Sequence, residues 1–231
     1  MTAAPGALPE QFDRIRQSIP PAVVLIAVTK FLPVETIRAA YERGVRHFGE
    51  SRVQEAIAKQ ADLSDLSDIT WHLIGHLQTN KARKAVEHFD WIHSVDSLKL
   101  AERLDQAAQE LEKTPQCCLQ VKLVPDPPKF GIDVAELEAL LPQFDQLTHL
   151  KIRGLMTIPP QGASDDAVRE VFAGAKSLAD TLNQMGFNRL HIDQLSMGMS
   201  GDYGTAIACG ATMVRLGTIL LGNRPPSASL P

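Results

Sequence analysis

The sequence predicts an α/β fold, a single (β/α)8 TIM-type barrel preceded by an N-terminal helix. Three observations carry this expectation. Strand-like and helix-like segments alternate about eight times along the chain. Its 231 residues come close to the ~250 that such a barrel takes. The first strand candidate, Ala22–Val28, is a continuous, largely β-branched apolar run of the kind a parallel sheet buries on both faces.

The elements follow in order. Leu8, Phe12, Ile15 and Ile19 recur at helical spacing, and Pro20-Pro21 ends that helix. After the first strand, Pro33 opens a helix carrying Val34, Ile37, Ala40 and Tyr41, and Gly44 stops it. Val45–Phe48 reads as a short strand, followed by a helix from about Arg52, a strand at Thr70–Ile74 and a helix at Lys81–Phe89. Trp91–Ser94 is the next strand and Leu98–Leu111 the next helix. The second half repeats the pattern. Strands at Cys117–Leu123, Ile152–Met156, Leu190–Leu195 and Thr212–Leu216 alternate with helices through Leu137–Leu141, Ala167–Met185 and Tyr203–Cys209. An open doubly wound sheet is the competing architecture, but it carries phosphate-binding glycines after its first strand, and Val28-Thr29-Lys30-Phe31-Leu32 has none. No linker divides the chain, so residues 1–222 read as one barrel and 223–231 as a disordered tail.

Composition narrows the function classes. The net charge is −4, with Lys and Arg dispersed, which argues against nucleic acid or an anionic membrane as partner. Cys117, Cys118 and Cys209 form neither a disulfide framework nor a zinc pattern, and no apolar run approaches the ~20 residues that span a bilayer. With no leader-like N-terminus, the expectation is a soluble protein of the reducing cytoplasm.

Barrel chemistry sits at the C-terminal ends of the strands, so the residues that close each apolar run are the candidates. Lys30 ends the first. Alternation places it on the face of Ile26 and Val28, and in a dry lumen its charge would be disfavoured and its amine nucleophilic; the alternative is a lysine that snorkels to the rim. Leu195–Asp202 passes from strand to helix through small residues, with Ser200 as a candidate N-cap, and Gly217-Thr218 repeats the arrangement after the last strand. Two such turns with free N–H groups suit a phosphate. Arg215, inside an apolar run, needs either a ligand or an ion pair with a carboxylate such as Glu50. His72 and His76 stand four apart where strand passes into loop, which disfavours a metal site.

Six segments extend this reading: Ala27–Lys30, His47–Glu55, Trp71–Lys81, Gly154–Thr157, Leu195–Asp202 and Val214–Thr218. In these the chain closely resembles the pyridoxal-phosphate homeostasis protein family (YggS/PROSC type). The resemblance implies the barrel of alanine racemase (PLP fold type III), with pyridoxal 5'-phosphate held as an internal aldimine on Lys30. It assigns Ser200, Gly217 and Thr218 to the phosphate, Arg215 to the pyridine nitrogen, and Met156, Ser196 and Ser51 to the surroundings of the ring. Ser51 departs from the family's usual Asn. The implied role is non-catalytic, in intracellular vitamin B6 and amino-acid or keto-acid homeostasis, with PLP-dependent apoenzymes as candidate partners. Because Arg215 only donates, a pyridine nitrogen facing it stays unprotonated and the ring is a weaker electron sink. The alternatives are a PLP-dependent racemase or lyase of modest activity, and a barrel for another phosphorylated metabolite. A length consumed by the barrel, without the β domain that closes the racemase site, favours the carrier reading and a monomer.

Overall fold

A strand that pairs on both edges and is covered on both faces has no hydrated surface, and the sequence supplies such strands at regular intervals. The computed structural model describes residues 11–126 and 129–222. Along them run α1 (Gln11–Ser18), β1 (Val24–Val28), α2 (Val34–Glu42), β2 (His47–Glu50), α3 (Val53–Asp62) and β3 (Thr70–Leu73). A 3₁₀ turn (Thr79–Lys81) leads into α4 (Ala82–His88), β4 (Trp91–Val95), α5 (Leu98–Glu110), β5 (Gln116–Lys122) and the short β6 (Ile132–Asp133). Then come α6 (Val134–Phe144), β7 (Lys151–Met156), α7 (Asp165–Gln184), β8 (Gln194–Ser196), α8 (Tyr203–Ala208), β9 (Met213–Leu216) and α9 (Thr218–Leu221).

Strands β1 to β5 and β7 to β9 form a closed parallel ring of eight. β9 pairs back onto β1 through Ile26 opposite Arg215, and β4 closes onto β5 through Ile92 opposite Cys117. β6 only extends the end of β5, with Ile132 opposite Val121. The predicted barrel is therefore the fold, and the open sheet is not.

Side-chain alternation divides the apolar residues into two layers. Ile26, Trp91, Cys118, Met156 and Met213 fill the inside, with Val24 and Ile158 against them. Leu25, Ala27, Phe48, Ile92, Cys117 and Leu119 face outward into the larger core under the helices. The alternation expected for the first strand is thus observed. The adjacent Cys117 and Cys118 belong to opposite layers, and burial raises both thiol pKa values, that of Cys118 to about 12.

Among the boundaries that differ from expectation, three have a cause in the side chains. β2 continues beyond Phe48 through Gly49 and Glu50, because the carboxylate has buried partners. The Leu190–Leu195 strand contracts to Gln194–Ser196, since side chains satisfy the backbone before it: Asn183 bonds both N and O of Ile192, and Asp145 accepts from Asn188, Arg189 and Leu190. Ser200 is not the N-cap of α8, which starts at Tyr203 behind Asp202. Leu8 and the 223–231 tail lie outside the described residues, as does any test of the domain limits that rest on them.

Gly154 holds the inner layer at its tightest point. A Cβ there would stand 2.7 Å from Cys118 Sγ and 2.8 Å from the carbonyl oxygen of Gln194. Gly154→Ala is expected to lower stability by about 1–3 kcal/mol through overpacking, read as a shift of the urea midpoint at unchanged slope.

Candidate functional site

Lys30 is half-buried, one residue beyond a threonine that is clamped from outside the barrel wall. Thr29 Oγ1 donates to Glu50 Oε1 at 2.7 Å. Lys59, reaching in from α3, donates to the Thr29 carbonyl at 2.8 Å, to the same Glu50 oxygen at 2.8 Å and to Glu55 Oε1 at 2.7 Å. Glu55 in turn accepts the Phe31 N–H at 2.7 Å. The residues on both sides of Lys30 are therefore tied to one cluster of two carboxylates and an ammonium. Phe31 needs that hold, because its φ of 63° lies in the left-handed region, which non-glycine residues rarely adopt. Glu50 is fully buried, and desolvation raises its pKa despite Lys59.

Across the barrel, Arg215 extends from β9 and is 4% exposed. Its Nη1 donates to the carbonyl oxygen of Ser196 at 2.6 Å and to Ser196 Oγ at 2.7 Å; Nη2 donates to the Thr157 carbonyl at 3.2 Å. No carboxylate pairs with it among the described residues, and Glu50, the candidate partner, faces Lys59 on the outer side of β2. Burial lowers the Arg215 pKa to about 10, so it remains a cation at neutral pH.

The two phosphate candidates occupy the expected turns. Met199–Asp202 closes by Asp202 N–H to the Met199 carbonyl at 3.1 Å and Met199 N–H to Asp202 Oδ1 at 2.6 Å, with half-buried Ser200 and exposed Gly201 at its tip. Gly217 and Thr218 begin α9 immediately after Arg215, where first-turn N–H groups lack intrahelical acceptors. Met156 lies in the inner layer, and Ser196 is fully buried beneath Arg215. Ser51 touches the next loop closely: a Cβ on Gly75 would fall 2.4 Å from the Ser51 carbonyl oxygen.

The histidines separate. His76 pairs with Asp96 at 2.9 Å on the C-terminal rim, whereas His72 points inward and joins a chain. His47 Nδ1 lies 3.0 Å from His72 Nε2, His72 Nδ1 lies 2.9 Å from His93 Nε2, and His93 Nδ1 lies 2.8 Å from Ser196 Oγ. Desolvation lowers all three pKa values, that of His93 to about 3 with the charge of Arg215 adding to it. Lys59, Glu55, His47 and His93 were not among the sequence candidates. Lys59 had a weak signal, a lysine on the apolar side of its helix, while the histidines are visible only once inward positions of three strands are aligned.

The family model described as alanine racemase, N-terminal domain, matches residues 4–225. The pyridoxal phosphate homeostasis protein of Synechocystis sp. is 52% identical over 216 residues, which cover 94% of this chain and 98% of that protein. The structure of PipY from Synechococcus elongatus PCC7942 with PLP bound superposes with a TM-score of 0.88 at 56% identity, over 92% of this chain and 99% of that one. Alanine racemase of Clostridium difficile 630, in complex with cycloserine, shares the fold at a TM-score of 0.73 and 16% identity, over 94% of this chain and 59% of the racemase.

Two outcomes follow from the charges. Lys59→Ala strands Glu50 without its counter-ion and is expected to cost about 3–5 kcal/mol in denaturant unfolding. Because His72 and His93 are held neutral, the unfolded chain takes up protons below its histidine pKa of about 6.5 that the folded chain refuses, so stability is full above that pH and falls beneath it. Each contributes a slope of about 1.4 kcal/mol per pH unit. Urea midpoints at pH 7.5, 6 and 5 should show the decline, and His93→Asn should remove its share of the slope and leave that of His72.

Proposed function

The chain belongs to the family of pyridoxal phosphate homeostasis proteins, built on the alanine racemase N-terminal domain, and we propose that it binds pyridoxal 5'-phosphate at the C-terminal mouth of the barrel, with Lys30 as the point of covalent attachment. The observation that carries this reading is the buried Arg215. A cation enclosed by neutral oxygens and, among the described residues, by no carboxylate suits an uncharged ring acceptor beside it, and it stands on the strand that leads into the Gly217-Thr218 turn. The donor set therefore fits the cofactor.

When bound, the cofactor supplies an aldehyde open to attack by an uncharged lysine amine. The chain's residues do the rest. The Glu50–Lys59–Glu55 cluster holds Thr29 and Phe31 and so limits where the Lys30 amine can reach. Ser200, Gly217 and Thr218 offer hydroxyl and backbone donors to a phosphate. Arg215 keeps its own proton, so a ring nitrogen facing it gains a hydrogen bond but no charge, and electron withdrawal by the ring stays weak. That combination favours holding the cofactor over turning substrates over, which supports a carrier role in PLP and amino-acid homeostasis. In this reading the carrier works as a monomer in the cytoplasm and supplies PLP-dependent apoenzymes; free cysteine thiols are in keeping with a reducing compartment.

Mixing the purified chain with pyridoxal phosphate should produce a visible absorption band that borohydride fixes onto the Lys30 peptide and that Lys30→Ala abolishes. Arg215→Ala and Ser200→Ala should each weaken retention, by about tenfold or more for a lost charge-assisted hydrogen bond. Attachment to another lysine would sink the site, and Lys30-dependent deuterium exchange at Cα of added amino acids would sink the non-catalytic role.

A further inference from the structure

We infer that His47, His72 and His93 are positioning residues for Arg215: a one-way chain of hydrogen bonds, running from the guanidinium to the N-terminal mouth of the barrel, that holds the Ser196 hydroxyl and through it the guanidinium. The inference rests on the proposed function only in naming pyridoxal phosphate as the ligand Arg215 meets.

The direction follows from elementary donor counting. Arg215 can only donate, so Ser196 Oγ accepts from it at 2.7 Å. The oxygen could accept a second bond, but its own proton would then have no acceptor; among the described residues its other partner is His93 Nδ1, 2.8 Å away, which takes the serine proton. A neutral imidazole has one donor and one acceptor, so His93 carries its proton on Nε2 and gives it to His72 Nδ1. By the same step His72 donates from Nε2 to His47 Nδ1, and His47 too is left with its proton on Nε2. One arginine thus selects the tautomer of three rings on three successive strands, β2, β3 and β4.

Filling space does not account for these side chains. Barrel interiors are ordinarily packed with Val, Ile and Leu, and burying an imidazole without partners is costly. Here His72 and His93 are fully buried, and His72 stacks on Trp91 with centroids 6.1 Å apart and planes 10° from parallel, which keeps its two nitrogens aimed along the chain. His47, at the start of β2, is half-buried and lines the cleft beside α1 at the foot of the barrel. The relay therefore links the solvent-facing foot to the guanidinium at the opposite end.

The test has two arms on the full chain. Nitrogen NMR of ¹⁵N-histidine-labelled protein at pH 7 should find Nε2 protonated and Nδ1 bare in all three rings; an Nδ1–H tautomer or an imidazolium in any of them overturns the relay. In the second arm, His93→Leu removes the acceptor for Ser196 and His93→Asn keeps one. Loaded with pyridoxal phosphate, both should still be trapped by borohydride on Lys30, but His93→Leu should release the cofactor about tenfold faster, the effect of one lost buried hydrogen bond, with a shifted absorption band. His93→Asn should restore both towards wild type. Equal behaviour of the two variants reduces His93 to packing and overturns the inference. Failure of wild-type trapping would overturn the cofactor reading instead, and the tautomer pattern would then decide the relay by itself.

Discussion

A positive charge sealed inside the barrel and met by neutral oxygens is the constraint on which the interior is arranged. Arg215 sits on β9 opposite Ile26, in a layer whose apolar members include Trp91, Cys118, Met156 and Met213. Leaving that guanidinium unsolvated would cost several kcal/mol, so oxygens from the end of β8 and just beyond β7 turn toward it. Their donors and acceptors are then spoken for, and the next shell of polar groups must adapt. The low pKa of His93 is one result, since a second cation beside Arg215 is disfavoured by both burial and repulsion.

A second charged system lies on the other side of the same wall. β2 makes the division visible within four residues: His47 and Gly49 face inward, Phe48 and Glu50 outward. The outer cluster resolves its charges by pairing, Lys59 with Glu50 and Glu55, whereas the inner one resolves them by neutral dipoles. Each braces a different candidate residue. The paired cluster braces the backbone around Lys30, and the dipolar chain braces the side chain of Arg215. One strand contributes to both because its faces belong to different dielectric environments.

What could be read from the sequence follows the same division. Alternation of apolar runs identified the ring of strands and made candidates of Lys30, of Gly217 and Thr218 at strand ends and of Arg215 inside a run, because those signals are local. The contraction of the strand before Gln194 was not legible, since it depends on Asn183 and Asp145 capturing backbone groups from other elements. Ser200 as a helix cap failed for a related reason: a capping sequence also fits a tight turn, and Asp202 closes one here. The bracing of Lys30 and the histidine chain join residues about 20 to 30 apart, up to 103 for His93 and Ser196, and composition carries no trace of which inward positions will meet.

The opposite orientation of Cys117 and Cys118 bears on chemical selectivity. Thiolates compete with amines for aldehydes, and Cys118 shares the inner layer with Met156. With its pKa pushed up to about 12, only on the order of one molecule in 10⁵ carries a thiolate at neutral pH. Cys117 is sealed beneath the helices on the other side of the strand. The proposed carrier of a reactive carbonyl needs one nucleophile that answers and neighbours that stay silent, and the dryness that packs this barrel also enforces that silence.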